Sequence, residues 1–124
     1  DGNETRDFVF VEDVAAACEV AITLEQRTAT LNVGSGGATR VLDLAFMLKE
    51  LWQSQSSITV TGNYRIGDIR HNWADLTRLY SVAPDWQSTG LHLGLQKFVE
   101  WASAQPAYED RSRTAVAELK SKNL

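Results

Sequence analysis

One cysteine, two prolines and two histidines are all this chain offers of the residues that mark a staple, a break or a metal site. With Cys18 alone, neither an internal disulfide nor a cysteine-based zinc site can form. No apolar run approaches the roughly 20 residues a membrane span requires. The opening "DGNETRD" is polar and carries no signal-peptide pattern. Positive charge is not in excess either: the net charge is −4. That argues against a general nucleic-acid binder, whose affinity comes largely from neutralising phosphates. The expectation is a soluble protein of a reducing cytoplasm, with no nucleic-acid or membrane partner. Cys18 sits in the helix-like "DVAAACEVA" and is expected to be a buried structural thiol, because a free cysteine packs as a small hydrophobe.

What is present suits one globular domain spanning residues 1–124. The chain has 124 residues, 44% hydrophobic and 23% charged, and a single domain usually takes about 100–200. It has no initiator methionine, and residue 1 enters a polar loop leading into a strand. A piece cut from, or evolved from, something longer is therefore expected.

Strand and helix patterns alternate along the chain. "RDFVFV" reads as a short strand, and Asp13 as the cap of a helix with Val14, Ala17, Cys18, Ala21 and Ile22 on one face. "TATLNV" reads as a second strand ending in "GSGG", after which Thr39 is placed to cap a helix carrying Val41, Leu44, Ala45, Leu48 and Trp52. "SITVTG" alternates as a third strand. Asp75 then caps a short helix that Pro84 interrupts, since the residue before proline is pushed out of helical geometry. A further helix presents Leu91, Leu95, Phe98, Val99 and Ala102, and beyond Pro106 a charged helical tail carries Ala115, Val116 and Leu119. This order predicts an α/β fold: a small partial domain with about three short parallel strands and four or five helices, lacking a Rossmann half.

Three loops could carry chemistry. Arg6 precedes a strand, where a guanidinium can bind a carboxylate or phosphate through two parallel bonds; the alternative is a surface pair with Asp7 or Glu12. "GSGG" matches neither G-x-G-x-x-G nor G-x-x-x-x-G-K-[ST], so a plain tight turn is favoured over a phosphate cradle. Asn32, within the second strand, is an amide that must find partners if buried. The third loop, "TGNYRIGDIRHNWADL", gathers Arg65, Asp68, Arg70, His71 and Asp75 around Gly67. Arg65 and Arg70 could clamp a diphosphate while Asp68 accepts from sugar hydroxyls; equally, these charges could pair among themselves.

No catalytic set is visible. His71 and His92 stand on different elements, without a cysteine partner or a carboxylate at metal-ligand spacing. Tyr64, Tyr80 and Tyr108 have no lysine four residues downstream.

Taken in order, "DGNETRDFVFVEDVAAA", "LNVGSGGATRVLDLA", "RIGDIRHNWADLTRL" and "GLQKFVEW" resemble the C-terminal part of extended short-chain dehydrogenases, the NAD-dependent nucleotide-sugar epimerases and dehydratases. The family pattern runs T-R-D-F-V-Y-V-x-D-V, N-V-G-S-G, R-x-G-D-I-R-H, A-D and G-L-x-x-F-x-x-W. The resemblance covers about residues 1–102 and looks most like the sugar-nucleotide 4-epimerase branch. It implies that Arg6 binds the diphosphate or its ribose and that Arg65 is a second diphosphate arginine. It further implies that Asp68 lies near the ribose, and that Asn32 and Val33 line the nucleotide pocket. The family's G-x-x-G-x-x-G, its cofactor and its Tyr-x-x-x-Lys belong to a half upstream of these motifs. The usual L-G-(W/F)-x-P link is here "VAPDWQSTG".

The resemblance thus implies a substrate-binding domain for a UDP- or TDP-sugar. It would hold no catalytic residues, cofactor or metal of its own, and would be inactive alone, with NAD held by a missing Rossmann partner. The rival expectation is a free-standing module derived from that domain, which would self-associate through the apolar faces left open.

Overall fold

The computed structural model describes residues 1–25, 30–64, 67–106 and 112–121. Along them lie β1 (Thr5–Arg6), α1 (Val11–Thr23), β2 (Thr39–Arg40), α2 (Val41–Leu51), α3 (Thr77–Val82), α4 (Leu91–Ser103) and α5 (Ser112–Ser121). The five helices agree with the sequence reading. The sheet does not. Among the described residues it has two strands, paired antiparallel with Thr5 opposite Arg40 and Arg6 opposite Thr39. Among the described residues, parallel pairing is limited to one bridge on the other edge of β1, between Thr5 and His71. There the Thr5 N–H donates to the Arg70 carbonyl at 3.0 Å, and the Asn72 N–H to the Thr5 carbonyl at 3.1 Å.

Of the three expected strands, the first is cut to Arg6, and the described residues of the other two form no strand. A β-prone run becomes a strand only beside a neighbour that completes its ladder. Residues 30–33 and 57–62 have none among the described residues and form no strand, while residues 28 and 29 of "TATLNV" lie outside the description. "RDFVFV" contributes only Arg6 to β1, and by Val11 the chain is helical.

Helix starts also differ from the expected caps. α1 begins two residues before Asp13, after Phe10, with no side-chain cap. The Asp13 carboxylate is buried and accepts from the Thr89 N–H at 2.8 Å and the Thr89 hydroxyl at 2.7 Å. It ties α1 to the chain entering α4. Thr39 belongs to β2, and α2 follows Arg40, whose guanidinium grips Asp43 through bonds of 2.7 and 2.8 Å. Asp75 does the expected chemistry one position early, accepting from the Thr77 N–H and hydroxyl at 2.9 and 2.6 Å with Leu76 between. α3 stops at Val82, and Ala83 before Pro84 is non-helical at φ −136° and ψ 75°.

Ala17, Leu76 and the fully enclosed Leu79 form the centre. α2 packs on α4, where the rings of Trp52 and Phe98 meet nearly perpendicular with centroids 6.0 Å apart. α1 turns Asp13, Ala17, Val20 and Leu24 inward. Its opposite stripe of Val11, Ala15, Cys18 and Ile22 is exposed. Cys18 is therefore an exposed thiol, not the buried one expected, because only one side of α1 is covered. α5 supplies the final helix with Ala115 exposed; the side chains of Val116 and Leu119 lie outside the description.

Candidate functional site

Successive side chains of an extended segment point to opposite faces, so Arg6 and Asp7 serve different surroundings. Arg6 donates from Nη2 to Asp68 Oδ1 at 2.9 Å, and from Nη1 to the carbonyls of Thr5 at 2.8 Å and Arg70 at 3.1 Å. Its surface partner is thus neither Asp7 nor Glu12; Glu12 accepts from Lys97 Nζ at 2.7 Å instead. A guanidinium carries five N–H donors. Three bonds leave two donors with no partner among the described residues, on a side chain that is 27% exposed. An oxyanion could take them.

Asp7 faces the glycine-rich turn. Its Oδ1 accepts from the Ser35 N–H at 2.7 Å and the Ser35 hydroxyl at 2.6 Å, and its Oδ2 from the N–H groups of Gly36 at 3.2 Å and Ala74 at 3.1 Å. Burial opposes its ionisation. The bonds from Ser35, Ala74 and Gly36 outweigh that and hold the carboxyl below its usual range. Gly34 makes the approach possible: a Cβ there would lie 2.7 Å from Ala74 Cβ and collide with Asp7 Oδ2.

Of the residues singled out in the sequence, Arg6 and Asp68 are brought together, while Arg65 lies outside the described residues. Asn32 is exposed, not buried as its place in a strand implied, and donates from Nδ2 to the Asp75 carbonyl at 3.0 Å. Val33 is half-buried beside Gly34. Arg70 does not join Arg6: its guanidinium pairs with Asp1 at 2.6 Å, and only its carbonyl reaches the cluster. His71 Nδ1 lies 2.9 Å from the Thr5 hydroxyl. The residue missed in the sequence is Asp7, and strand alternation was the signal that it could not share Arg6's face.

The turn does not fit a dinucleotide. A phosphate cradle needs amides free to point at the anion. Here those of Ser35 and Gly36 are spent on Asp7, and that of Gly37 on the Ser35 hydroxyl. The carboxylate beneath would also repel a phosphate. Among the described residues no three His, Cys, Asp or Glu side chains converge as a metal site requires, and no helix is long and apolar enough to cross a membrane.

No family model matches the chain. It is 33% identical over 109 residues to the dTDP-L-rhamnose 4-epimerase of Burkholderia thailandensis, covering 85% of this chain and 29% of that protein. The UDP-glucose 4-epimerase of Thermotoga maritima, solved with UDP-glucose, superimposes with a TM-score of 0.74 at 30% identity over 83% of this chain and 33% of its own. MoeE5 in complex with UDP-glucuronic acid and NAD does so with a TM-score of 0.68 at 34% identity, over 83% of this chain and 34% of its own. The chain thus spans about a third of the length of the proteins it matches. Its ordered motifs, its fold and these relatives agree: the chain is homologous to the C-terminal part of the NAD-dependent nucleotide-sugar epimerases and dehydratases of the short-chain dehydrogenase type.

Proposed function

We propose that residues 1–124 form one substrate-binding unit that supplies the diphosphate-holding side of a nucleotide-sugar site. The observation that carries this reading is the convergence of Arg6 and Asp68 at 2.9 Å with two guanidinium donors left over among the described residues. Arg6 would bond the diphosphate, Arg65 would add a second guanidinium, Asp68 would accept from the ribose, and Asn32 and Val33 would line the base side. The ligand is a UDP- or TDP-sugar. Solved relatives are bound to UDP-glucose and to UDP-glucuronic acid with NAD, which supports that class. The transient oxidation of the sugar would need NAD held by a cofactor-binding partner domain, so this unit alone is inactive. Its setting is the cytoplasm.

Titration of the isotope-labelled chain with UDP, read by chemical shifts, tests the reading. Shifts clustered at Arg6, Asn32, Arg65 and Asp68, and lost in Arg65→Ala, support it. Shifts confined to α5, or indifferent to that substitution, refute it.

A second reading, a self-associating module, is favoured by the apolar surface left open. Val11 and Ile22 on α1 are 71% and 83% exposed. A groove of about 840 Å³, walled by Phe8, Phe10, Leu95, Phe98 and Trp101, runs beside α4.

A further inference from the structure

We propose that Asp7, which contacts no ligand in the proposed function, is the positioning residue of the diphosphate site: its carboxylate sets the pose of Arg6. The inference rests on that functional reading.

Three described segments carry Arg6, Asn32, Val33 and Asp68, four of the residues assigned to the nucleotide sugar. They are β1 with Arg6, residues 32–37 with Asn32 and Val33, and residues 68–75 with Asp68. Asp7 directly follows the first and is bonded to both others, through Ser35 and Gly36 on one side and Ala74 on the other. Four donors on one carboxylate fill it, so it has no capacity left for a ligand. Its role is to hold.

The loop held at Ala74 also carries the partners that orient Arg6. Asp68 fixes Nη2 and the Arg70 carbonyl shares Nη1. Arg6 in turn is covalently next to Asp7. The guanidinium is therefore fixed from two directions by one anchor, its own backbone and the loop opposite. A neutral amide of the same shape breaks this arrangement. Asn presents an N–H₂ group to at least one of the four donors, which forces the turn or the loop to withdraw. Sites lose affinity when such supporting groups slacken, even where every contacting residue is retained.

The test uses the whole chain and UDP as probe, with chemical-shift titration for affinity and the Arg6 guanidinium signals for pose. Asp7→Asn is expected to weaken UDP binding about tenfold and to move the Arg6 guanidinium signals in the ligand-free protein. Asp13→Asn is the control for general loosening, since it disturbs another carboxylate that ties two segments together, through two bonds at the α1–α4 junction. Its UDP affinity should stay within about twofold of wild type. Unmoved Arg6 signals with unchanged UDP affinity in Asp7→Asn overturn the proposal alone. Equal losses in Asp7→Asn and Asp13→Asn also overturn it, reducing Asp7 to a fold-holding group. Wild-type chain that fails to bind UDP overturns the functional reading and the proposal together. Should Asp7→Asn not fold, Ser35→Ala decides, since it deletes one donor and keeps the backbone. A loss of about threefold supports the proposal, and unchanged affinity overturns it.

Discussion

Arg6 and Asp68 stand 62 residues apart in sequence and 2.9 Å apart in space. The pair lies at the surface, with Asp68 55% exposed. Exposed ion pairs contribute about 0–1 kcal/mol, so this one orients the Arg6 guanidinium without locking the fold. A double-mutant cycle of Arg6→Ala and Asp68→Ala, measured by urea unfolding, should return a coupling below about 1 kcal/mol. A coupling above about 2 kcal/mol would mean a structural lock, not an orienting contact.

Gly34 should tolerate no side chain. Gly34→Ala drives a methyl into Asp7 and Ala74, and overpacking of this kind costs about 1–3 kcal/mol. Gly37→Ala is the contrast, because its Cβ would meet only the Ser35 hydroxyl at 3.5 Å. Thermal unfolding should show a clear drop in Tm for the first and almost none for the second. Equal behaviour would contradict the close approach.

Acid should destabilise the chain partly through Asp7. Its carboxyl, and that of Asp75 bonded by the Thr77 hydroxyl and N–H, are held below their ordinary value of 3.8. The unfolded chain then takes up protons first as pH falls. The stability these groups contribute is full above about pH 4 and is lost as pH drops through the depressed folded values. Comparing urea unfolding at about pH 6 and about pH 3, Asp7→Asn should lose less on acidification than wild type. An identical loss would show that Asp7 carries none of the dependence.

The exposed stripe of Val11, Ala15, Cys18 and Ile22 predicts self-association. Sedimentation at rising concentration should show a dimer or larger, and Ile22→Glu should shift it toward monomer. A monomer throughout the concentration range would remove the second reading.

Helix content and site chemistry were legible in the sequence to different depths. α4 was readable from its spacing: Leu91, Leu95, Val99 and Ala102 turn inward as expected, while Phe98, expected with them, is exposed. The strands were not, because "SITVTG" and residues 30–33 have β-forming composition but no ladder neighbour among the described residues. Composition sets extension; only a partner sets a sheet. Arg6 and Asp68 were legible as chemistry, yet their pairing needed the bridge from Thr5 to His71 that brings their segments together. Asp7 was overlooked because an acid next to an arginine invites a local pair, and its true partners lie 28 and more residues away. Cys18 was misjudged because helical spacing cannot say which apolar side of α1 is covered.

The most direct measurement compares UDP with uridine on the wild-type chain and on Arg6→Ala. If Arg6 holds the diphosphate, UDP should bind more tightly than uridine by about tenfold or more, since one charge-assisted hydrogen bond contributes roughly 1.5–3 kcal/mol. Arg6→Ala should shrink that preference while leaving uridine unchanged, Arg65 supplying what remains. Equal affinity for UDP and uridine on the wild-type chain, or a preference undiminished in Arg6→Ala, would contradict the account.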